Sequence, residues 1–370
     1  MIVSRPIVNS RIWFQGLPIS SSGRLAGQFP LAALLLLLLV CTAGAQTSFS
    51  VLQTNIHRDI GGSDSVTTAQ PYLAQEVNYL DPDVWTINEL GGNNTSFNLT
   101  TATNYLTSFI QSSVTIFGSN PVLGTDYFVY VSTINDGYDT SAIVSRYPIT
   151  SSQTFSDAGG GYSALRGLIE ATVSIGGKSV DVFGTHLKAS STNADAQQRQ
   201  SQADTDSATI AAWIAAHPSD AVIATGDWNE TVETTEADNW SSGSLNGTIT
   251  LKNGTKETYN PVATMKSAGL TDPRPTTASG SVDTISSTNP DARFDYILYA
   301  QQNLQYVSGE VFNSADGMGL ASGTSGNASD HLPVFETFML APEPSVASLA
   351  FCGILFFVRR KPSSACCRRL

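Results

Sequence analysis

Twice along this chain an apolar run stops on a polar residue, a helical stretch follows, and a second apolar run stops the same way. The first unit is SFSVLQTNI (48–56), SVTTAQPYLAQEVNYL (65–80) and DPDVWTINEL (81–90), with Asn55 and Glu89 near the far ends of its strands. In the second, KSVDVFGTHL (178–187) closes on His186. The 193–217 helix follows, with Ile210, Trp213 and Ile214 on one face, and then DAVIATGDWNE (220–230) stops at Asp227 and Asn229. Strand–helix–strand connections of this kind make parallel neighbours. They set the carboxyl ends of their strands side by side, where ligand sites of such sheets gather.

Between the two units, DYFVYVST (126–133), SAIVSRYPI (141–149) and ALRGLIEATVSI (164–175) read as strands from their Val, Ile and Tyr and their alternation. TMKSAGLTDPRP (264–275) reads as a short helix stopped by Gly269, and ARFDYILYA (292–300) and HLPVFETFML (331–340) as two late strands. The stretches 91–125, 231–260 and 301–328 read as loops, 231–260 as an inserted polar surface loop. There is no internal repeat of solenoid period. The pattern is that of one α/β domain rich in strand.

The ends differ from this body. Residues 1–45 carry Arg5, Arg11 and Arg24 and no acidic residue, then LAALLLLLLV (31–40) and AGA (43–45). A basic lead, a short apolar core and a small-residue cleavage site are the parts of a secretory signal peptide. Residues 341–370 hold Pro-Glu-Pro, an apolar stretch over 346–358, and then Arg359, Arg360 and Lys361. This tail resembles the PEP-CTERM sorting tails of bacterial exported proteins, which hold a protein at the membrane until an exosortase-type enzyme acts on it. Read without that resemblance it is a short hydrophobic anchor with positive-inside flanks. Either way the chain is expected to be exported, with 46–340 as its folded body.

All four cysteines lie in these ends, so the body has neither disulfide nor thiolate chemistry. The formal net charge is −12, and much of the positive charge also sits in the ends. The body therefore lacks the basic footprint of a tight nucleic-acid binder. Bound cations would offset part of its charge, so phosphate substrates stay open.

SDHLPV (329–334) adds Asp330 and His331 at the start of a strand, and Asp295 interrupts RFDYIL. Each polar strand end has an ordinary structural reading when taken alone. Asn55 can cap a turn, Glu89 and Asp295 can face solvent, His186 can be a satisfied core histidine, and Asp330–His331 can be a turn pair. Together they supply carboxylate, imidazole and amide groups suited to one task. A carboxylate such as Glu89 binds a hard divalent cation, which offsets the charge of a phosphate ester. An imidazole such as His331 takes a proton from water near neutral pH. With no body cysteine and four histidines in the whole chain, a thiolate or poly-histidine zinc site is disfavoured.

The ordered stretches LQTNI, TINEL, AIVSRYPI, GTHL, TGDWNE, RFDYIL and SDHLPV resemble the endonuclease/exonuclease/phosphatase superfamily over roughly 48–340. Departures are small: Asn88 stands where Gln is usual, and Trp228 where Phe is common. The resemblance implies a four-layer α/β sandwich, with two packed mixed β-sheets and helices on the outer faces, as in DNase I-like proteins. It implies a Mg²⁺-dependent (or Mn²⁺- or Ca²⁺-dependent) phosphoesterase acting on nucleic acid, phospholipid or small phosphodiesters. The metal would lie at Glu89 and Asp330 with Asn55 nearby. Asp295 would orient His331, the general base, although some family schemes give that role to the aspartate of GDWN. Asp227 and Asn229 would orient the nucleophile and hold the phosphate. His186 would donate to the phosphate or leaving group, with Asp126 or Asp139 as its orienting acid, and Arg166 would contact phosphate. His57 and His217 take structural readings, the latter as a helix C-terminal cap.

Overall fold

Each strand–helix–strand unit forms one parallel pair. A computed structural model describes residues 46–342, except 62–65, 92–96, 116–126, 191, 231–246, 251–255, 286–291 and 318. The expected leader and most of the tail therefore lie outside the described residues, as does Asp126. Strands β1 (Ser48–Asn55) and β2 (Val84–Gly91) flank helix α1 (Val66–Leu80) and pair in parallel. Strands β7 (Lys178–His186) and β8 (Ala221–Asp227) flank helix α3 (Asn193–Ala216) and do the same. Helix α3 starts on a capping box, in which Thr192 and Asp195 each bond the other's backbone N–H. It ends where the His217 N–H reaches the Trp213 carbonyl.

The remaining strands pair antiparallel around these two cores. They are β3 (Phe128–Val131), β4 (Asp139–Ser145), β5 (Ile149–Phe155), β6 (Leu168–Ile175), β11 (Asp295–Tyr299), β12 (Leu304–Val311) and β13 (Val334–Leu340). One sheet has six strands in the order β12-β13-β1-β2-β4-β3, and the other has five in the order β11-β8-β7-β6-β5. Strands β9 (Gly247–Thr250) and β10 (Lys256–Tyr259) form a separate hairpin.

The packing follows from which faces are apolar. Phe49, Val51, Val84 and Ile143 of the first sheet meet Val173, Val182, Ile223 and Ile297 of the second in an apolar inter-sheet core. On the other face of the six-stranded sheet, Trp85, Ile87 and Val144 meet α1 through Leu73 and Val77. The same face meets α2 (Leu99–Ser113) through Leu106, Phe109 and Ile110. Behind the five-stranded sheet, Phe183, Val222 and Leu298 meet Ala203 and Ile210 of α3. Val262 and Met265 of α4 (Pro261–Lys266) join them there. The layers run helix, sheet, sheet, helix. Strand β8 is buried along its whole length, as a central strand covered on both faces must be.

Four readings of the sequence are corrected here. Helix α2 occupies part of the 91–125 stretch read as loop. Its Thr, Asn and Ser content masks an apolar face at Ala102, Leu106, Phe109 and Ile110, and Asn98 caps its first turn. Strand β12, in the 301–328 stretch, is a sheet edge with few buried positions, so alternation barely marks it. The 231–260 stretch contains the β9–β10 hairpin. The helix expected from 264 starts at Pro261, because Asn260 caps the Ala263 N–H and proline suits the first helical position.

Candidate active site

Strand register gathers the site. His186 lies opposite Asp227 in the β7–β8 pair, and Asp227 lies opposite Asp295 in the β8–β11 pair. Three of the candidate residues thus form one row across the five-stranded sheet. In the facing sheet Asn55 lies opposite Asn88 in the β1–β2 pair. Glu89 comes next, where the β2–β4 register shifts, and its φ of 58° turns it out of the strand. Bulges re-aim side chains in this way.

Asp227 is the centre. Its Oδ2 accepts from Asn55 Nδ2 at 2.9 Å and lies 3.5 Å from His186 Nε2 and 3.7 Å from His331 Nε2. Its Oδ1 accepts the Asn229 N–H at 2.8 Å, a turn that holds Asn229 at φ 50°. Asn229 Nδ2 donates to the Leu187 carbonyl at 3.2 Å. Glu89 Oε1 accepts from Asn55 Nδ2 at 3.0 Å and lies 3.8 Å from His186 Nε2. His331 Nδ1 is 2.7 Å from Asp295 Oδ2, so its Nε2 points at Asp227. Two acid and imidazole groups, Glu89–His186–Asp227 and Asp227–Asp295–His331, share Asp227, and each is close enough for one cation.

Burial sets the protonation states. It opposes charge on His331, but the Asp295 and Asp227 carboxylates outweigh it and raise the imidazole to about 10. Burial raises Asp227 to about 7, against the pull of His331 and with the push of Asp295. His186 goes the other way. Burial first, then the charges of Arg166, His331 and Lys188, hold it well below its ordinary value, so it is neutral.

Arg166 is buried. Its Nε donates to Asp139 Oδ1 at 2.8 Å and its Nη2 pairs with Asp136 Oδ2 at 2.9 Å. Its buried Nη1 has no hydrogen-bond partner among the described residues. Asp139 is committed to this pair rather than to His186. Asp330 stands apart from both acid and imidazole groups. It is half exposed, with its carboxylate 4.0 Å from His57 Nε2. His217 stays at the far end of α3, its ring against Trp213.

Several residues that build the site carry no catalytic signature in the sequence. Asn88 Oδ1 accepts from Gln53 Nε2 at 2.7 Å and from the Asp227 N–H at 2.8 Å. Its Nδ2 donates to Ser141 Oγ at 2.9 Å and to the Thr185 carbonyl at 3.3 Å. One buried amide therefore ties the two sheets together beneath the site. Ser329 Oγ donates to the Asn55 carbonyl and accepts the His331 N–H, tethering the SDH turn to β1. Thr284 Oγ1 accepts the N–H groups of Phe294 and Asp295, and its carbonyl accepts from Leu332 N. Behind them Arg293 makes a buried two-point pair with Asp272 at 2.9 Å for each contact. Trp228 stacks on Tyr296 with ring centroids 4.7 Å apart, filling the place where phenylalanine is common.

Residues 52–331 match the Endonuclease/Exonuclease/phosphatase family. The chain belongs to this family. Its members hydrolyse phosphoester bonds, and the coarse activity follows. Solved endonuclease/exonuclease/phosphatase proteins share the fold. One from Beutenbergia cavernae has 16% identity and a TM-score of 0.52, covering 80% of this chain and 72% of its own. One from Bacteroides thetaiotaomicron has 17% identity and a TM-score of 0.51, covering 80% of this chain and 99% of its own. One from Leptotrichia buccalis has 15% identity and a TM-score of 0.51, with 80% and 99% covered. Among curated protein sequences none matches. Against the family background, the Asn88 departure falls on a residue that bonds to four protein groups.

Proposed function

We propose that this family member is an exported phosphodiesterase that cleaves phosphodiesters by in-line attack of water. The observation that supports it is the position of the Asp227 carboxylate between His186 and His331, at 3.5 and 3.7 Å. In this reading Asp227 takes the proton of the attacking water. Its raised pKa suits a base that works near neutral pH. His331, held as imidazolium by Asp295, stabilises the charge that builds on the phosphoryl oxygens. The aspartate scheme is thus favoured over a His331 base. His186, neutral, carries one N–H for a phosphate or leaving-group oxygen. The Asn229 side chain and the unpaired Nη1 of Arg166 offer further donors to the phosphate.

A divalent cation fits beside these groups. Glu89 offers a hard carboxylate that is partly open to solvent, and Asn55 is fixed against it. Glu89 would hold Mg²⁺ (or Mn²⁺ or Ca²⁺); Asp330, the expected second acid, faces His57 outside both acid and imidazole groups. Bound there, the ion would neutralise phosphate charge and polarise the phosphoryl group. The acidic balance of the chain, −12 overall, favours small or lipid phosphodiesters, or loosely held nucleic acid, over tight DNA binding. Export by the leader and a membrane stage through the tail belong to the same proposal.

The test follows plasmid nicking and the hydrolysis of bis(p-nitrophenyl) phosphate and sphingomyelin, with Mg²⁺ and with EDTA. Metal-dependent cleavage of at least one is expected. Full activity in EDTA would remove the cation from the reading, and no hydrolysis of any of the three would remove the phosphodiesterase.

A further inference from the structure

Among the described residues no side chain orients His186. Among the described residues neither ring nitrogen has a hydrogen-bond partner, and Nε2 only faces carboxylates at 3.5 and 3.8 Å. Its position therefore comes from the backbone at the end of β7 and from residues 187–190 beyond it. That segment is tied down at nearly every step. Leu187 N donates to the Asp227 carbonyl at 3.1 Å, and Lys188 N donates to Gln202 Oε1 at 2.8 Å. Arg199 Nη1 donates to the carbonyls of Lys188 at 2.5 Å and Ser190 at 3.1 Å. Ser190 sits at φ 86°, a backbone state that needs such restraint in a residue other than glycine. The same guanidinium reaches the other loop of the site. Arg199 Nη2 pairs with Glu230 Oε2 at 3.3 Å, one residue past Asn229. Both side chains are almost fully buried, 4% and 2% exposed. Arg199 and Gln202 lie three apart on α3 and so share a face.

We propose that Arg199 is a positioning residue for the hydrolysis. It clamps the loop after His186 to the Asp227–Glu230 loop and so sets His186 against Asp227. The inference rests on the proposed role of His186 and Asp227. Arginine is suited to this because its rigid fork bonds several acceptors at once, whereas lysine keeps the charge beside Glu230 but bridges the loops poorly.

The experiment measures kcat and KM on bis(p-nitrophenyl) phosphate for four proteins: wild type, Arg199→Lys, His186→Ala and the double variant. A small misplacement of a reacting group costs up to roughly 10²-fold in rate. Arg199→Lys is expected to lower kcat by roughly 10-fold or more with KM within about 2-fold. In the His186→Ala background it is expected to cost nothing further, because residues acting through one group are not additive. Amide hydrogen exchange over 187–190 should speed up in Arg199→Lys, a readout independent of turnover. Gln202→Met, which releases the Lys188 N–H, should show the same non-additivity and serves if Arg199→Lys does not fold. An unchanged kcat in Arg199→Lys, or equal losses in both backgrounds, overturns the clamp and leaves the active-site reading standing. Full activity of His186→Ala overturns the role of His186, and the clamp with it.

Discussion

At the scale of single residues, the charge states of His331 and Asp227 carry the proposed mechanism. Asp227 must be ionised to act as base, so activity should rise as pH passes about 7. His331 must stay protonated, so activity should fall as pH passes about 10. Asp295→Asn removes the nearest charge that raises His331. The alkaline limb of the kcat/KM profile should then move to lower pH, and an unmoved limb would show that His331 does not set it. Asp227→Asn should cut kcat by roughly 10²-fold or more, since a positioned acid or base contributes about that. Near-normal turnover would move the base elsewhere. Asn55, Glu89, His186 and Asp227 were legible as candidates because each stands at or near a strand end, in a stretch whose apolar pattern marks the strand, whereas Asp295 interrupts its strand and was singled out through the resemblance. Asn88, Thr284 and Ser329 were not, because a buried amide or hydroxyl earns its role only from what it touches. Asp330 was placed with the metal by resemblance, and in the fold it faces His57 at the rim.

At the scale of elements, the β7–β8 pair leaves no room for a side chain at Gly226. A Cβ at Gly226 would meet the Thr185 carbonyl oxygen at 1.9 Å, a backbone atom that cannot step aside without breaking the pair. Gly226→Ala should therefore cost roughly 3 kcal/mol in urea unfolding and displace His186 from Asp227. A folded, fully active variant would mean that the register has slack. The parallel pairs were readable because a strand, a helix and a strand in series leave few other topologies. Strand β12 and helix α2 were hidden for opposite reasons. The edge strand buries too little to show a period of two, and the helix shows its period of 3.6 only beneath a polar composition.

At the scale of the whole molecule, folding buries carboxyl groups on β13, α1 and α3 and favours their protonated forms. Glu336 points inward between Val334 and Phe338 with neither oxygen hydrogen-bonded among the described residues, and burial raises it well above its ordinary value. Burial raises Glu76 and Asp206 to about 8 each. Such groups bind more protons folded than unfolded once pH exceeds about 4. Their contribution to stability therefore falls as pH rises from there through the folded value, by up to about 1.4 kcal/mol per pH unit for each group. Glu336→Gln should gain on the wild type in thermal midpoint between pH 5 and pH 8. A constant difference across that range would mean that Glu336 is ionised in the fold. By itself the sequence determined the class of fold, the two parallel crossovers and most of the candidate site side chains, because hydrophobic period and strand-end chemistry are local. Only the tertiary structure decided which carboxylate stands at the centre and which histidine is charged. It also decided that Asn88 and Arg199 tie the site together. Those depend on burial and on contacts between residues as far apart as Asn55 and Asp227, which no local pattern encodes.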